Sequence, residues 1–273
     1  MEQLTNLGPM IGKGNTAEVY RCDDNYIVKL YTESLGPHLA YFEHDILSAL
    51  NRAGTPAPVI GNLVKYNDRI GIKMEFVPGT TLDKLLIAED ARRGANARLM
   101  ATLHARIHAT TTGELQTQYT AFYNTINNNR DLLGSVTDTI LNYLDTLPAG
   151  SQVCHGDFHP KNIIAGSGKS MVIDWTNAYR GNPLGDLVLT RLRMLTPYIS
   201  KGFSGDTALF IAAKKNIYDV YWQTYKNLTN VTETELDAWL LPCAAAQLHP
   251  SKPVHTQWLL QILRQQLNRQ SLL

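Results

Sequence analysis

The chain has 273 residues, of which 44% are hydrophobic and 18% are charged, and its formal net charge is +1. This composition is that of an ordinary globular protein with one large domain or two lobes. The near-neutral charge gives no reason to expect a nucleic acid or a membrane surface as partner, and no apolar run approaches the roughly 20 residues that span a bilayer. The three cysteines are scattered without zinc-ligand spacing, and Met1–Met10 carry no signal-peptide pattern, so we expect a cytoplasmic location.

The N-terminal segment predicts antiparallel strands around a glycine turn. Residues 10–20 (MIGKGNTAEVY) indicate a strand, a turn and a second strand, and residues 25–31 (NYIVKLY) indicate a third. Because a strand follows the turn where a Rossmann site requires a helix, a dinucleotide fingerprint is excluded. Taken alone, this pattern is also that of a plain hairpin, and Lys29 in the third strand could simply face water.

A helix and two more strands are predicted next. The helix follows from apolar residues at helical spacing, namely Leu39, Phe42, Ile46, Leu47 and Leu50. Residues 57–60 and 69–76 indicate strands, after which Val77-Pro78-Gly79 interrupts the pattern.

The rest of the chain is predicted to be mostly helical. One helix is expected to begin near Thr81. The others are expected at residues 98–108, 119–147 (one or two helices), 205–228, 232–248 and 253–270. His104 and His108 are four residues apart, but no H-E-x-x-H motif or nearby third ligand accompanies them, so a structural role is expected. Four aromatic residues at helical spacing indicate either core packing or a wall of an acceptor pocket; they are Tyr218, Tyr221, Trp222 and Tyr225.

The chemistry of the chain is concentrated in residues 153–162 (VCHGDFHPKN) and 172–175 (VIDW). Asp157 precedes Asn162 by five residues, and Asp174 ends a short apolar run. Phosphoryl transfer from ATP needs a carboxylate to orient the attacking hydroxyl, and an amide oxygen and a second carboxylate to hold Mg²⁺. The intervening segment 166–170 (GSGKS) is not a P-loop, because Ile163 replaces the required glycine and strands flank it. We expect a hairpin turn there.

The order H-G-D-x-x-x-x-N followed by D-W-T resembles the aminoglycoside phosphotransferase and choline kinase families. The resemblance implies an α+β, two-lobed protein-kinase-like fold, with an antiparallel-sheet N-lobe (residues 1–78) and a mostly helical C-lobe (residues 79–273). It also implies Mg²⁺-dependent transfer of the γ-phosphoryl group of ATP to a hydroxyl of a small molecule. The oligomeric state stays open.

The resemblance assigns roles to individual residues. Asp157 is the expected catalytic base, and Asn162 and Asp174 are the expected metal ligands. The nucleotide-binding residues that it implies are Gly12, Gly14 and Val19 in the phosphate-covering loop, Lys29 paired with Glu43, Met74 behind the adenine, and the backbone of Glu75 and Val77 at the adenine edge. His155 is expected to support the catalytic loop by hydrogen bonding, and Asp186 to brace it from below.

The acceptor is left with several alternatives. From residue 175 onward, 10 basic residues outnumber 6 acidic ones, which disfavours a polycationic aminoglycoside and favours a neutral or singly charged hydroxyl compound. Choline, an amino-alcohol or a sugar is the first alternative, with the stretch Tyr218–Tyr225 as the candidate choline cage. A nucleotide-binding pseudoenzyme or interaction module is the alternative of another class. A protein substrate is disfavoured because no A-P-E motif or long activation segment is present.

Overall fold

A computed structural model describes residues 1–14, 16–33, 37–88, 92–199 and 206–272 of the chain. These residues form two compact units. The first unit comprises Met1–Lys84 and Pro160–Asn177, and the second comprises Leu85–His159 and Ala178–Leu273. The α+β architecture expected from the sequence is confirmed, while the boundary between lobes at residue 78 stays a prediction. Among the described residues, no helix has the length and apolar character needed to cross a membrane.

The strands are β1 (Glu2–Gln3), β2 (Met10–Lys13), β3 (Ala17–Arg21), β4 (Tyr26–Tyr31), β5 (Ile60–Tyr66), β6 (Arg69–Glu75), β7 (Thr80–Thr81), β8 (Gln152–Cys154), β9 (Ile163–Ala165), β10 (Ser170–Val172) and β11 (Tyr179–Gly181). The helices are α1 (His38–Arg52), α2 (Leu82–Ala88), α3 (Arg93–His108), α4 (Gln118–Asn128), α5 (Arg130–Leu133), α6 (Thr137–Asp145), α7 (Pro183–Leu195), α8 (Thr207–Thr229), α9 (Glu233–Asp237), α10 (Leu240–Ala246) and α11 (Pro253–Arg269). Short 3-10 turns lie at Gly134–Val136 and Pro160–Asn162.

The first unit contains a six-stranded sheet in the order β1-β5-β6-β4-β3-β2. Its neighbouring strands are antiparallel as predicted, except that β1 joins the edge parallel to β5. The strand expected at residues 57–60 instead begins at Ile60 and continues to Tyr66. The reason is local: the Asn51 side chain donates to the Pro58 carbonyl and accepts from the Ile60 N–H, which fixes residues 58–60 as a loop that enters the strand.

Strand β4 places its side chains on alternate faces of the sheet. Val28 and Leu30 enter a buried cluster with Val64, so Lys29 and Tyr31 point to the opposite face. Helix α1 buries an apolar stripe with one carboxylate in it, formed by Ala40, Glu43, Ile46, Leu47, Ala49 and Leu50. Phe42, which was predicted to belong to this stripe, is instead 39% exposed.

The second sheet of this unit has the order β10-β9-β7. Strands β9 and β10 pair in antiparallel register, with Ile163 opposite Val172. The segment 166–170 therefore closes a hairpin, as predicted, and is not a phosphate-binding P-loop.

The second unit combines helices with a two-stranded β8–β11 ladder. The region expected to hold one or two helices at residues 119–147 contains three, because a 3-10 turn begins at Gly134 with a φ of 60° and separates α5 from α6. The expected helix at 232–248 is two helices, and a capping box between Thr232 and Glu235 starts the first of them. Helix α8 begins at Thr207 and is capped by Asp206. Its expected start, Gly205, lies outside the described residues.

Candidate active site

In the first unit, Lys29 and Glu43 form the ion pair that the sequence predicts. The Lys29 Nζ lies 2.9 Å from Oε1 and 2.8 Å from Oε2 of Glu43, which is only 2% exposed. Tyr31 donates its hydroxyl to the same carboxylate, so the buried charge has the donors that it requires. Burial alone would lower the pKa of Lys29, but the carboxylates of Glu43 and Asp174 raise it above its usual value. The lysine is therefore a fixed cation.

Asp174 and Asn162 emerge from the same end of the β9–β10 hairpin. The Ile173 N–H donates to the Asn162 carbonyl at 2.9 Å, which extends the ladder by one step. Asp174 follows with a φ of 64°, in the left-handed region that residues other than glycine rarely adopt. Its Oδ1 lies 3.4 Å from the Lys29 Nζ, and its side chain is half exposed at 49%. Held strain of this kind is common at functional sites.

This donor set fits a hard divalent cation. The carboxylate of Asp174 and the amide of Asn162 both offer oxygen atoms, which Mg²⁺ prefers in proteins. Both belong to the first unit and are placed by one hairpin, and the adjacent Lys29 is a lysine that can contact phosphate. The expected roles of Asn162 and Asp174 as metal ligands thus agree with the chemistry of the residues present.

The remaining residues expected to bind nucleotide also lie in the first unit. Gly12 pairs with Val19 across β2 and β3, and the Gly14 N–H donates to the Ala17 carbonyl at 2.9 Å to close the turn. Asn15 in that turn lies outside the described residues. Met74 and Val77 are buried at 6% and 7% exposure. The Glu75 side chain accepts from the Val59 N–H and forms an ion pair with Lys169 at 2.6 Å. Their contacts with adenine stay predictions.

In the second unit, the Asp186 carboxylate braces the backbone of residues 155–159, the catalytic segment, which contains the expected base Asp157. Its carboxylate accepts the N–H of His155 at 2.6 Å and that of Gly156 at 2.9 Å. Gly156 has a φ of 78°, which explains glycine at this position of the H-G-D motif. The His155 Nδ1 accepts the Asp157 N–H at 3.2 Å. The contacts expected of His155 and Asp186 are therefore present.

Two histidines and two tyrosines complete the surroundings of the buried Asp186. The Nε2 atoms of His104 and His108 lie 3.1 and 3.2 Å from Asp186 Oδ2. Their Nδ1 atoms each lie 2.7 Å from a tyrosine hydroxyl, of Tyr221 for His104 and Tyr225 for His108. Asp186 is a third potential metal ligand that the sequence did not reveal. Because hydrogen bonds within the network already use these ligand atoms, its role is structural.

The same contacts decide between the two readings of the aromatic stretch Tyr218–Tyr225. Tyr221 and Tyr225 are each 1% exposed, and Tyr218 and Trp222 are also buried. The stretch is therefore core packing for the histidine network. A choline cage needs open ring faces, which the two fully buried rings do not offer.

This network predicts that stability falls with mild acid. Burial, followed by the neighbouring His108, lowers the pKa of His104 from 6.5 to about 3. Between these two pKa values, His104 is protonated in the unfolded chain and neutral in the folded chain. The free energy of unfolding therefore decreases as pH falls through this range. Asp186, whose pKa lies well below its usual value despite burial because both histidines bond to it, adds a further loss below its unfolded pKa. Urea unfolding at several pH values measures the slope, and a flat profile would contradict the neutral His104.

Asp157 has two basic neighbours that the sequence did not reveal. The Arg193 Nε lies 2.7 Å from Asp157 Oδ1, an ion pair whose angles fall outside those of a hydrogen bond. The His159 Nε2 lies 3.6 Å from the same oxygen. Burial alone would raise the pKa of Asp157, but His159 and Arg193 more than offset this and hold it below its ordinary value. One signal was available: Arg193 is seven residues after Asp186, so both share a face of α7.

Comparison with known proteins agrees with this geometry. Residues 10–228 match the phosphotransferase enzyme family. The chain therefore belongs to this family, and the predicted family and enzyme class, a phosphotransferase, are confirmed. No curated protein sequence matches the chain.

Solved structures of aminoglycoside phosphotransferases are similar in fold. A thermostable mutant of aminoglycoside phosphotransferase APH(4)-Ia in its apo form has a TM-score of 0.63 and 14% identity, over 97% of this chain and 94% of that one. An aminoglycoside-3'-phosphotransferase of type VIII has a TM-score of 0.58 and 19% identity, over 89% and 92%. APH(3'')-Id from Streptomyces rimosus, solved with ADP and streptomycin, has a TM-score of 0.54 and 16% identity, over 85% and 91%. At these identities the similarity supports the kinase-like fold alone.

Proposed function

We propose that the protein transfers the γ-phosphoryl group of ATP to a hydroxyl group of a small molecule, with Mg²⁺. The observation that carries the proposal is the cluster of Lys29, Glu43 and Asp174, in which a buried carboxylate fixes an ammonium beside a second carboxylate. A lysine held by a glutamate, next to a metal-binding aspartate, is the arrangement with which kinases position ATP phosphates. Family membership supports phosphoryl transfer, and ADP and ATP complexes of related folds support the nucleotide.

In the proposed reaction, the acceptor hydroxyl oxygen forms a bond to the γ-phosphorus while the bond from that phosphorus to the bridging oxygen of ADP breaks. Asp157 orients the hydroxyl and receives its proton. Because the pKa of Asp157 is held low, the carboxylate is ionised at neutral pH and is ready to accept the hydrogen bond. Lys29 orients the α- and β-phosphates.

Asn162 and Asp174 would hold Mg²⁺. When bound, the cation neutralises the charge on the phosphate oxygens. The protein places both oxygen donors at the end of one hairpin and keeps Lys29 charged beside Asp174. A cytoplasmic location stays a prediction.

The alternatives of the sequence analysis fare unequally. The burial of Tyr221 and Tyr225 removes the observation that favoured choline. A pseudoenzyme or interaction module has no need of a strained Asp174 or of a charged Lys29 kept beside it. Measurement of ADP formation with ATP, Mg²⁺ and a panel of hydroxyl compounds tests the proposal. Absence of both ATP binding and turnover would favour a non-catalytic module.

Replacement of Lys29 should weaken nucleotide binding. We expect the neutral pair Lys29→Met with Glu43→Gln to bind an ATP analogue about 10- to 100-fold more weakly, because a charge-assisted contact contributes about 1.5–3 kcal/mol. Changing both residues avoids a buried carboxylate without its cation. Calorimetric titration with a non-hydrolysable ATP analogue and Mg²⁺ measures the effect.

The control is Lys65→Met, at a half-exposed lysine of the same sheet whose Nζ lies 3.9 Å from Asp68. Unchanged affinity in the paired variant, with native-like thermal unfolding, would remove Lys29 from the nucleotide site.

A further inference from the structure

The second unit carries a group of cations next to Asp157 that the proposed reaction does not use. We call Arg193, Lys214 and Lys252, with the neutral His255 among them, the α7 cation cluster, because these four residues gather around the C-terminal end of α7. Arg193 lies in the last turn of α7, Lys214 in α8, and the other two at the start of α11.

Thr196, the residue that follows the last turn of α7, connects α7 with α8 and α11. Its Oγ1 lies 2.8 Å from the His255 Nδ1, and its carbonyl accepts the Lys214 Nζ at 3.0 Å. Arg193 is three residues earlier, on the same side of the helix end, and lies 2.7 Å from Asp157 Oδ1. The cluster therefore begins at the carboxylate proposed to receive the acceptor proton.

The cluster is short of negative charge, unlike two neighbouring cations on α7 and α8. Arg191 lies 3.5 Å from Glu233 and 3.6 Å from Asp237, and Lys215 lies 2.8 Å from Asp219. Within the described ranges, Asp157 is the one carboxylate in an ion pair with the cluster. Residues 200–205, which are not described, contain Lys201 and no acidic residue.

The excess of positive charge affects the pKa of His255, which lies within the cluster. Burial, and then the positive charges of Arg193, Lys252 and Lys214, lower the pKa of His255 to about 4. Burial lowers the pKa of Lys214 to about 8. The pKa of His255 shows that Arg193, Lys214 and Lys252 together create a local positive potential, which an anion would relieve.

We propose that the α7 cation cluster binds an anionic group, a phosphate or a carboxylate, on the same small molecule whose hydroxyl meets Asp157. The inference rests on the proposed function and narrows its acceptor to hydroxyl compounds that carry a negative charge. Guanidinium and ammonium groups donate strong charge-assisted hydrogen bonds to both kinds of oxyanion. A polycationic acceptor would be repelled from this position.

Binding of inorganic phosphate tests the cluster without turnover. The full chain is saturated with ADP, so that the nucleotide site is occupied, and phosphate is titrated by calorimetry. We expect Lys214→Gln to bind phosphate about 10-fold more weakly than the native protein, through loss of one charge-assisted contact. The matched control is Lys215→Gln, the neighbouring lysine that already pairs with Asp219, with unchanged binding. No phosphate binding by the native protein, or equal binding by both variants, would overturn the proposal.

Turnover with paired acceptors tests specificity. A sugar phosphate is compared with the free sugar, and a hydroxy acid with its amide, by ADP formation. We expect the charged member of at least one pair to have a kcat/KM about 10-fold higher, and Lys214→Gln to remove this preference mainly through KM. The pair that responds distinguishes phosphate from carboxylate.

Equal or better turnover of the neutral members would overturn the proposal of an anionic acceptor, while the proposal of phosphoryl transfer would remain. Phosphate binding that depends on Lys214, without turnover of any compound, would instead count against the proposed function and support the anion site.

Discussion

An Asp157→Asn variant is expected to keep its fold and its affinity for nucleotide but to lose about 10²–10⁴ in turnover, the range over which a positioned proton acceptor contributes. Asparagine is of nearly equal size and can occupy the same place beside Arg193 and His159. It cannot receive the proton of the acceptor hydroxyl. Nucleotide affinity should change little, because the residues proposed to hold ATP are Lys29, Asn162 and Asp174. Steady-state ADP formation and calorimetric titration of nucleotide separate the two effects.

The control for this variant is Asp131→Asn, at an exposed carboxylate of the same unit. It should match the native rate. Residual turnover of Asp157→Asn near the native level, with saturating acceptor, would remove Asp157 from the chemistry and leave phosphoryl transfer without its proposed base.

An Asp186→Asn variant is expected to lose about 3–5 kcal/mol of folding free energy, as is typical when one partner of a buried charged network is removed. The Asp186 carboxylate accepts from two backbone N–H groups and from two imidazoles. An amide nitrogen in its place would face donors with a donor. Denaturant unfolding at neutral pH measures the loss, and reduced turnover should accompany it because the catalytic segment loses its brace.

The appropriate comparison is Asp138→Asn, which removes a surface carboxylate paired with Arg130 at 2.8 Å. Exposed pairs contribute about 0–1 kcal/mol, so that variant should unfold close to the native midpoint. If Asp186→Asn were equally mild, the hydrogen bonds to His155 and Gly156 would not be what holds the loop.

The sequence was most informative where one local rule determines the outcome. The strand around Lys29, the carboxylate on the apolar stripe of α1 and the hairpin at 166–170 follow from the periodicity of a strand, of a helix and of a turn. The pairing of Lys29 with Glu43 followed from these rules together with the family resemblance. The brace at Asp186 was predicted from the family resemblance alone.

The features that the sequence did not reveal depend on tertiary contacts that no local pattern specifies. Nothing near His104 in the sequence indicates Asp186 as a partner. The one sign that Arg193 lies near Asp157 is its position seven residues after Asp186 on α7. Phe42 lies at an edge of the helical stripe. Helical spacing does not determine which edge is buried, because that depends on how the helix packs against the sheet. Residues 57–60 were misread because Asn51, a side chain in α1, fixes their backbone.

Helix α7 presents Asp186 and Arg193 to the same catalytic segment, seven residues apart. Seven residues are nearly two full turns and about 10 Å along the axis. Inserting or deleting a single residue between them would rotate one relative to the other by about 100°. Natural variants of this enzyme should therefore tolerate substitutions in this stretch of α7 far more readily than any change in its length.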